Sequence, residues 1–426
     1  MPSQTKTIRD WQELALESPE RATRTYFEQI SNIPQDTQRR VFASLPSFEE
    51  LLGGFEKAGS YPRAALAGAP YLLKDLYDYP GFPTTASSSF LPEVRPDPRE
   101  EAALSIALRS QGAVFAGKTH LNEFAYGLSG ENLSYGDCPH PLFPERLSGG
   151  SSSGSAWAVK CGIAPVATGT DTAGSIRVPA AWCGLWGIRF APDEWSSKGC
   201  FPLAPKFDTA GWMTATGQDM EQVIRAIVPL ESTPSRPLRG LNLIDAIPKL
   251  SPMFRSRCSD TISKMGAEKD EEALAAYLSE TSDSPFSYAV LQSQDAFEVH
   301  RLWIDEYRDR YDPVVWQRLD RARHWSEAEN ERALKAERST KRFFARCFES
   351  YDYIVLPATQ SPAIPAAEHT DRFRNELLAI TAPASVGRVP ALTIPIGLEN
   401  GETQGLQLLF RAPYSDVPLR LLEALG

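Results

Sequence analysis

Two short polar stretches, separated by one apolar segment, constrain this chain more than any other feature. The first reads Gly149-Gly150-Ser151-Ser152-Ser153-Gly154-Ser155, and the second Gly169-Thr170-Asp171-Thr172-Ala173-Gly174-Ser175-Ile176-Arg177. Serine offers a hydroxyl nucleophile, and glycine lets the backbone turn so that its N–H groups face a ligand. By composition alone a Gly/Ser run reads as a flexible linker. The flanks argue otherwise. Ala156-Trp157-Ala158-Val159-Lys160-Cys161-Gly162 continues as a helix closed by glycine, and Ala164-Pro165-Val166-Ala167-Thr168 as a short buried strand. The first stretch is therefore expected as a tight loop at a helix N-terminus, where backbone N–H groups lack helical partners.

Gly150-Ser151-Ser152-Ser153-Gly154 also spells G-x-S-x-G, which would make Ser152 a nucleophile on a strand-to-helix elbow. That motif needs a strand before it. Pro139, Pro141 and Pro144 occupy the preceding stretch and exclude a central strand. Further upstream, Lys74 lies inside the apolar run Tyr71-Leu72-Leu73-Lys74-Asp75-Leu76. Burial there favours the neutral amine, which can serve as a base.

The segment over residues 148–189 resembles the signature sequence of the amidase signature family. The match is long and nearly ungapped: G-G-S-S-S-G-S, then G-T-D-T-A-G-S-I-R-V-P-A-A, then C-G-L-W-G. Leu72-Leu73-Lys74-Asp75, Glu123-Phe124-Ala125-Tyr126-Gly127 and Phe207-Asp208-Thr209 fit the same family, as do Pro383-Ala384-Ser385 and Gly405-Leu406-Gln407-Leu408-Leu409 near the end. The resemblance is strong over 71–216, weaker from 353 onward, and hardly visible between 221 and 350. It implies an α/β fold, a single compact amidase-signature domain over 1–426 with a mixed central β-sheet between helical layers. Within it, 1–60 would form N-terminal helices, 70–220 the catalytic core, 221–350 a variable helical insert, and 351–426 closing strands and a helix.

The resemblance also implies roles. Ser175 would be the nucleophile, Ser151 the bridging serine behind a cis Gly150–Ser151 peptide, and Lys74 the base. The two serines stand 24 positions apart, as is usual in the family. The backbone N–H groups of Thr172, Ala173, Gly174 and Ser175 are expected to form an oxyanion hole. Ala173 replaces a commoner glycine and removes no donor. Phe124, Ala125 and Tyr126 are expected to approach the substrate. Asp171 and Arg177 are read as fixing the nucleophile loop through charge-assisted hydrogen bonds, with Ser152 and Thr170 in support. Arg189-Phe190-Ala191 departs from the family's lysine, proline and threonine, and is expected to touch only local turn geometry.

The implied chemistry is hydrolysis of a carboxamide C–N bond through a Ser175 acyl-enzyme, without a cofactor. The alternative is the glutamine-hydrolysing subunit of an amidotransferase, which carries the same motifs. Retention of Lys74, Ser151 and Ser175 argues against a non-enzymatic scaffold.

Composition fits this reading. The 426 residues are 42% hydrophobic and 23% charged, as in globular proteins. A net charge of −10 argues against nucleic acid or an anionic membrane as a main partner. No run of about 20 apolar residues suggests a membrane span. The opening Met1-Pro2-Ser3-Gln4-Thr5-Lys6 lacks an apolar leader core, so a cytoplasmic location is expected. Six cysteines without a C-x-x-C pair read as reduced thiols, and five histidines without an H-E-x-x-H cluster give no metal site. The expected partner is a small-molecule amide, and a homodimer stays open.

Two or three amphipathic helices are expected from Ile8 to Lys57, and strands near 113–116, 164–168, 185–190, 353–356 and 391–396. Trp303, Tyr307, Tyr311, Val315 and Trp316 are read first as core packing, and second as walls of an acyl pocket.

Overall fold

The structure is a computed structural model that describes residues 5–192 and 194–425. Residues 1–4, part of the opening from which a leader was argued absent, lie outside the described residues.

Among those residues, eleven strands form one mixed sheet: β1 (Phe42–Ser44), β2 (Pro70–Lys74), β3 (Val114–Thr119), β4 (Val166–Thr170), β5 (Trp186–Arg189), β6 (Ala210–Thr214), β7 (Gly240–Asn242), β8 (Ala267–Glu268), β9 (Tyr353–Pro357), β10 (Ala391–Gly397) and β11 (Thr403–Phe410). Their order across the sheet is β1-β3-β2-β4-β6-β5-β10-β11-β9-β7-β8. β2 runs parallel to β3 and β4, and β7 parallel to β8 and β9, whereas the pairs from β4 through β6, β5, β10 and β11 to β9 are antiparallel. Helical layers cover both faces, which makes one domain of the mixed-sheet class expected from the sequence.

The strand period of two decides where Lys74 points. Tyr71 and Leu73 join the apolar cluster on one face, with Phe115, Val166 and Trp212. Leu72 joins the cluster on the other, with Trp11, Phe55, Ala156 and Val159. Alternation therefore sends Lys74 to the Leu72 face, toward the helix Ser153–Lys160 and the loop before it. β2 is buried along its whole length, as a strand with parallel neighbours on both sides must be.

Four N-terminal helices form where two or three were expected: Ile8–Glu17, Pro19–Ser31, Gln35–Val41 and Phe48–Gly59. The breaks have local causes. Ser18 ends the first helix and caps the second, accepting from the Arg21 N–H, with Pro19 at the first helical position. Ser47 and Glu50 form a capping box that starts the fourth. The segment read as a helical insert is mostly helical, including Ser284–His300, Pro313–Asp320 and Glu327–Ser350, but it also contributes β7 and β8 to the sheet edge. No helix among the described residues is long and apolar enough to cross a membrane.

Candidate active site

The loop over 148–152 approaches the C-terminal end of β2 closely, and glycine is what permits the approach. A Cβ on Gly150 would sit 2.0 Å from Asn122 Oδ1 and 2.8 Å from the Gly130 nitrogen. The Gly150–Ser151 peptide is cis. Ser151 is fully buried, and its Oγ accepts from Lys74 Nζ at 2.7 Å. Lys74 Nζ also donates to Thr170 Oγ1 at 2.8 Å, and the Lys74 backbone N–H to Thr168 Oγ1 at 3.0 Å. The lysine is thus fixed at backbone and head, and no carboxylate among the described residues pairs with it. Burial pulls its ammonium down to about 7, opposed only in part by the carboxyl groups of Asp208 and Asp171.

Ser175 lies on the loop between β4 and the helix Arg177–Cys183. The carbonyl of Ser175 accepts from the Ser152 N–H at 3.2 Å, which joins the two polar stretches. Its hydroxyl makes no hydrogen bond among the described residues and faces a small cavity. That cavity has space for about one water molecule, some 10 Å³, and its wall includes Ala125, Tyr126, Thr172, Ala173, Leu203 and Tyr288. None of the five histidines lies on this wall or bonds to Ser175. A much larger cavity, about 830 Å³, opens elsewhere, beside Lys57, Tyr79 and Phe115, and none of these groups lines it.

Asp171 organises the loop that carries Ser175. Its carboxylate accepts from the backbone N–H groups of Gly174 (2.6 Å), Ile176 (3.2 Å) and Arg177 (3.2 Å). It also pairs with Arg177 and Arg189, each at 3.0 Å, all three side chains being fully buried. Burial would raise this carboxyl, but the two guanidinium groups hold it well below the usual carboxylate range. Burial lowers Arg189 to about 10, so it stays charged at neutral pH. Arg177 reaches on to Gln407 Oε1 (2.7 Å) and Ser385 Oγ (3.1 Å), and Arg189 to Ser385 Oγ (2.8 Å), tying the loop to β11 and the helix Asp371–Val386.

Two expectations change here. Gly174, at φ +125, gives its N–H to Asp171 and is not a free oxyanion donor. No hydrogen bond among the described residues uses the N–H groups of Thr172, Ala173 or Ser175. Arg189 is not a matter of turn geometry alone, because it neutralises the carboxylate that shapes the Ser175 loop.

Of the residues expected at the substrate, Ala125 and Tyr126 reach the cavity and Phe124 does not. Phe124 is fully buried behind them, packed against Phe90, Phe201, His300 and Tyr311. Tyr311 and Val315 belong to the same apolar cluster, with Trp303, Tyr307 and Trp316 at its margin, so the aromatic series packs the core. Ser152 Oγ donates to the Thr170 carbonyl at 3.4 Å.

Sequence reading missed Asp208, whose carboxylate accepts from Thr172 Oγ1 (2.6 Å) and from the N–H groups of Leu203 and Ala204. Phe207-Asp208-Thr209 stood only as part of the family resemblance, with no role given to the carboxylate.

The Amidase family model matches residues 21–239. A glutamyl-tRNA(Gln) amidotransferase subunit of Geobacillus thermodenitrificans is 30% identical over 392 residues, covering 81% of this chain and 80% of the relative. The chain belongs to the amidase signature family. Members act on carbon–nitrogen bonds. Amidase 1 of Oryza sativa subsp. japonica is 25% identical, covering 84% of this chain and 90% of its own. A crystal structure of an amidase superposes with a TM-score of 0.81 at 26% identity, over 99% of this chain and 98% of that one.

Asp171→Asn is expected to destabilise this amidase-family protein by about 3–5 kcal/mol, because it leaves Arg177 and Arg189 buried without a counter-charge. The midpoint of urea unfolding checks this. A midpoint within error of the parent's would contradict it.

Proposed function

We propose that this protein hydrolyses a carboxamide C–N bond through an acyl-enzyme on Ser175, with Lys74 as base and Ser151 as relay. The observation that carries the reading is a fully buried lysine, lowered to about 7, whose amine lies 2.7 Å from the Ser151 hydroxyl.

A neutral amine can reverse that contact and accept the Ser151 proton. Ser151 in turn takes the Ser175 proton once Ser175 Oγ turns onto it. No hydrogen bond joins Ser175 Oγ to Ser151 among the described residues, and such contacts commonly tighten only around substrate. Ser175 Oγ then attacks the carbonyl carbon. The N–H groups of Thr172, Ala173 and Ser175 receive the oxyanion. The proton returns through Ser151 to the leaving nitrogen, and the amine departs. Water attacks the ester by the same relay, and the carboxylic acid leaves with Ser175 and Lys74 restored.

A second reading has its own observation. Relatives at 30% identity over most of their length are subunits of glutamyl-tRNA(Gln) amidotransferases. On that reading the same serine chemistry releases ammonia from glutamine for a partner's use. Ammonia release from a panel of amides by the purified chain alone separates the two. Turnover of simple amides without a partner supports the hydrolase. Turnover of glutamine only, and only in a co-purifying complex, overturns it.

A further inference from the structure

Beyond the cavity over Ser175 lies a second one of about 240 Å³, and the two share Tyr288, Arg374 and Leu378 in their walls. Arg374 therefore stands between the Ser175 cavity and the outer one. Arg321 lines the outer cavity, and Arg318 closes over Tyr126, its guanidinium donating to the Tyr126 carbonyl at 2.5 Å and its own carbonyl accepting from the Tyr126 hydroxyl at 3.2 Å. Arg321 Nη2 stands 3.5 Å from that hydroxyl.

None of these three arginines has an ion-pair partner among the described residues. The Arg374 guanidinium makes no hydrogen bond among them, and the Nε groups of both Arg374 and Arg321 are buried without an acceptor. No aspartate or glutamate lines either cavity. Asp312 and Asp371 act on Arg318 only at longer range, and nearby Glu131 is paired with His369 at 2.9 Å. Burial and mutual repulsion lower Arg374 to about 10 and Arg318 below the usual range. Such a cluster is costly unless an anion completes it. All three residues lie outside the stretch matched by the family model.

We infer that the substrate of this site is an amide bearing a carboxylate and no ammonium group, the carboxylate held by Arg374 and Arg321 while the amide carbon faces Ser175. This inference rests on the hydrolytic reading above. Guanidinium forks match a carboxylate in two parallel hydrogen bonds. A cation-lined passage without acids repels the α-ammonium of an amino acid. The chemical class is the monoamide of a small dicarboxylic acid, and glutamine fits it less well than its deaminated analogue glutaramate.

The experiment compares kcat/KM for malonamate, succinamate and glutaramate with that for glutaramide and glutamine. The best monoacid is expected to exceed glutaramide by about 30-fold or more, given the strength of charged hydrogen bonds. Glutaramate is expected to exceed glutamine. Arg374→Gln should collapse the acid-to-diamide ratio by about tenfold or more, with Arg374→Lys intermediate. Arg321→Gln, at the outer end, provides a second variant should Arg374→Gln not fold.

Calorimetric titration of the same monoacids into Ser175→Ala protein separates this inference from the hydrolytic reading. Binding that Arg374→Gln abolishes, without turnover of any amide by the parent, supports the anion site and sinks hydrolysis. Turnover of glutaramide or glutamine at least as fast as of every monoacid overturns the inference and keeps hydrolysis. Failure of every monoacid to bind also overturns it.

Discussion

Replacing Ser175 with alanine is expected to lower amide turnover by about 10⁴-fold or more, because no acyl-enzyme can form. The substitution removes one hydroxyl that makes no hydrogen bond among the described residues, so the fold has nothing to lose by it. Loss of kcat with intact thermal unfolding is therefore the expected signature. Ser152→Ala is expected to cost about tenfold at most, since that hydroxyl makes only a 3.4 Å contact to the Thr170 carbonyl. A large loss at Ser152 with a small one at Ser175 would restore the elbow reading that the upstream prolines exclude.

The second large effect lies at Lys74. Lys74→Ala is expected to lower turnover by about 10³-fold or more, and by more than Ser151→Ala, if the lysine is the base and the serine its relay. Lys74→Arg should not rescue, since a guanidinium stays charged at every usable pH. The base works only when unprotonated, so activity should rise with pH through about 7 and then level off.

Stability provides a second readout, and the sign follows from proton binding. The folded lysine titrates near 7 and the unfolded one near 10.5, so between these values the unfolded chain binds more protons. Stability from this site thus rises with pH across that window, and at pH 7 and below its cost is full, on the order of several kcal/mol. Lys74→Met should accordingly raise the urea midpoint at pH 7 while abolishing turnover. A parent pH–rate profile that is flat from pH 6 to 9, or near-normal turnover by Lys74→Arg, contradicts the assignment.

The chemistry-bearing loops were legible because few sequences set serines and glycines directly against core-grade helix and strand. Asp171 and Arg177 were legible for a related reason, as charges inside a small-residue loop that needs its backbone N–H groups tied. Arg189 was not. Its partner Asp171 lies two strands away, and antiparallel pairing of β5 and β4 with β6 between them brings the two together. β6 itself escaped the strand search because Ala210-Gly211-Trp212-Met213-Thr214 does not alternate in polarity. Gly211 is there because a Cβ would sit 1.9 Å from the Ile188 carbonyl oxygen. The three arginines around the pocket come from Pro313–Asp320, the turn that follows it, and Asp371–Val386. Only tertiary packing of these segments converges them, so no local pattern announced them.

The most direct measurement is peptide mapping after reaction with a serine-directed phosphonate or sulfonyl fluoride. The account predicts one adduct, on the peptide that contains Ser175, formed slowly in Lys74→Ala and not at all in Ser175→Ala. An adduct on Ser152, or unmodified Ser175 in protein whose amide turnover the reagent has abolished, would contradict it.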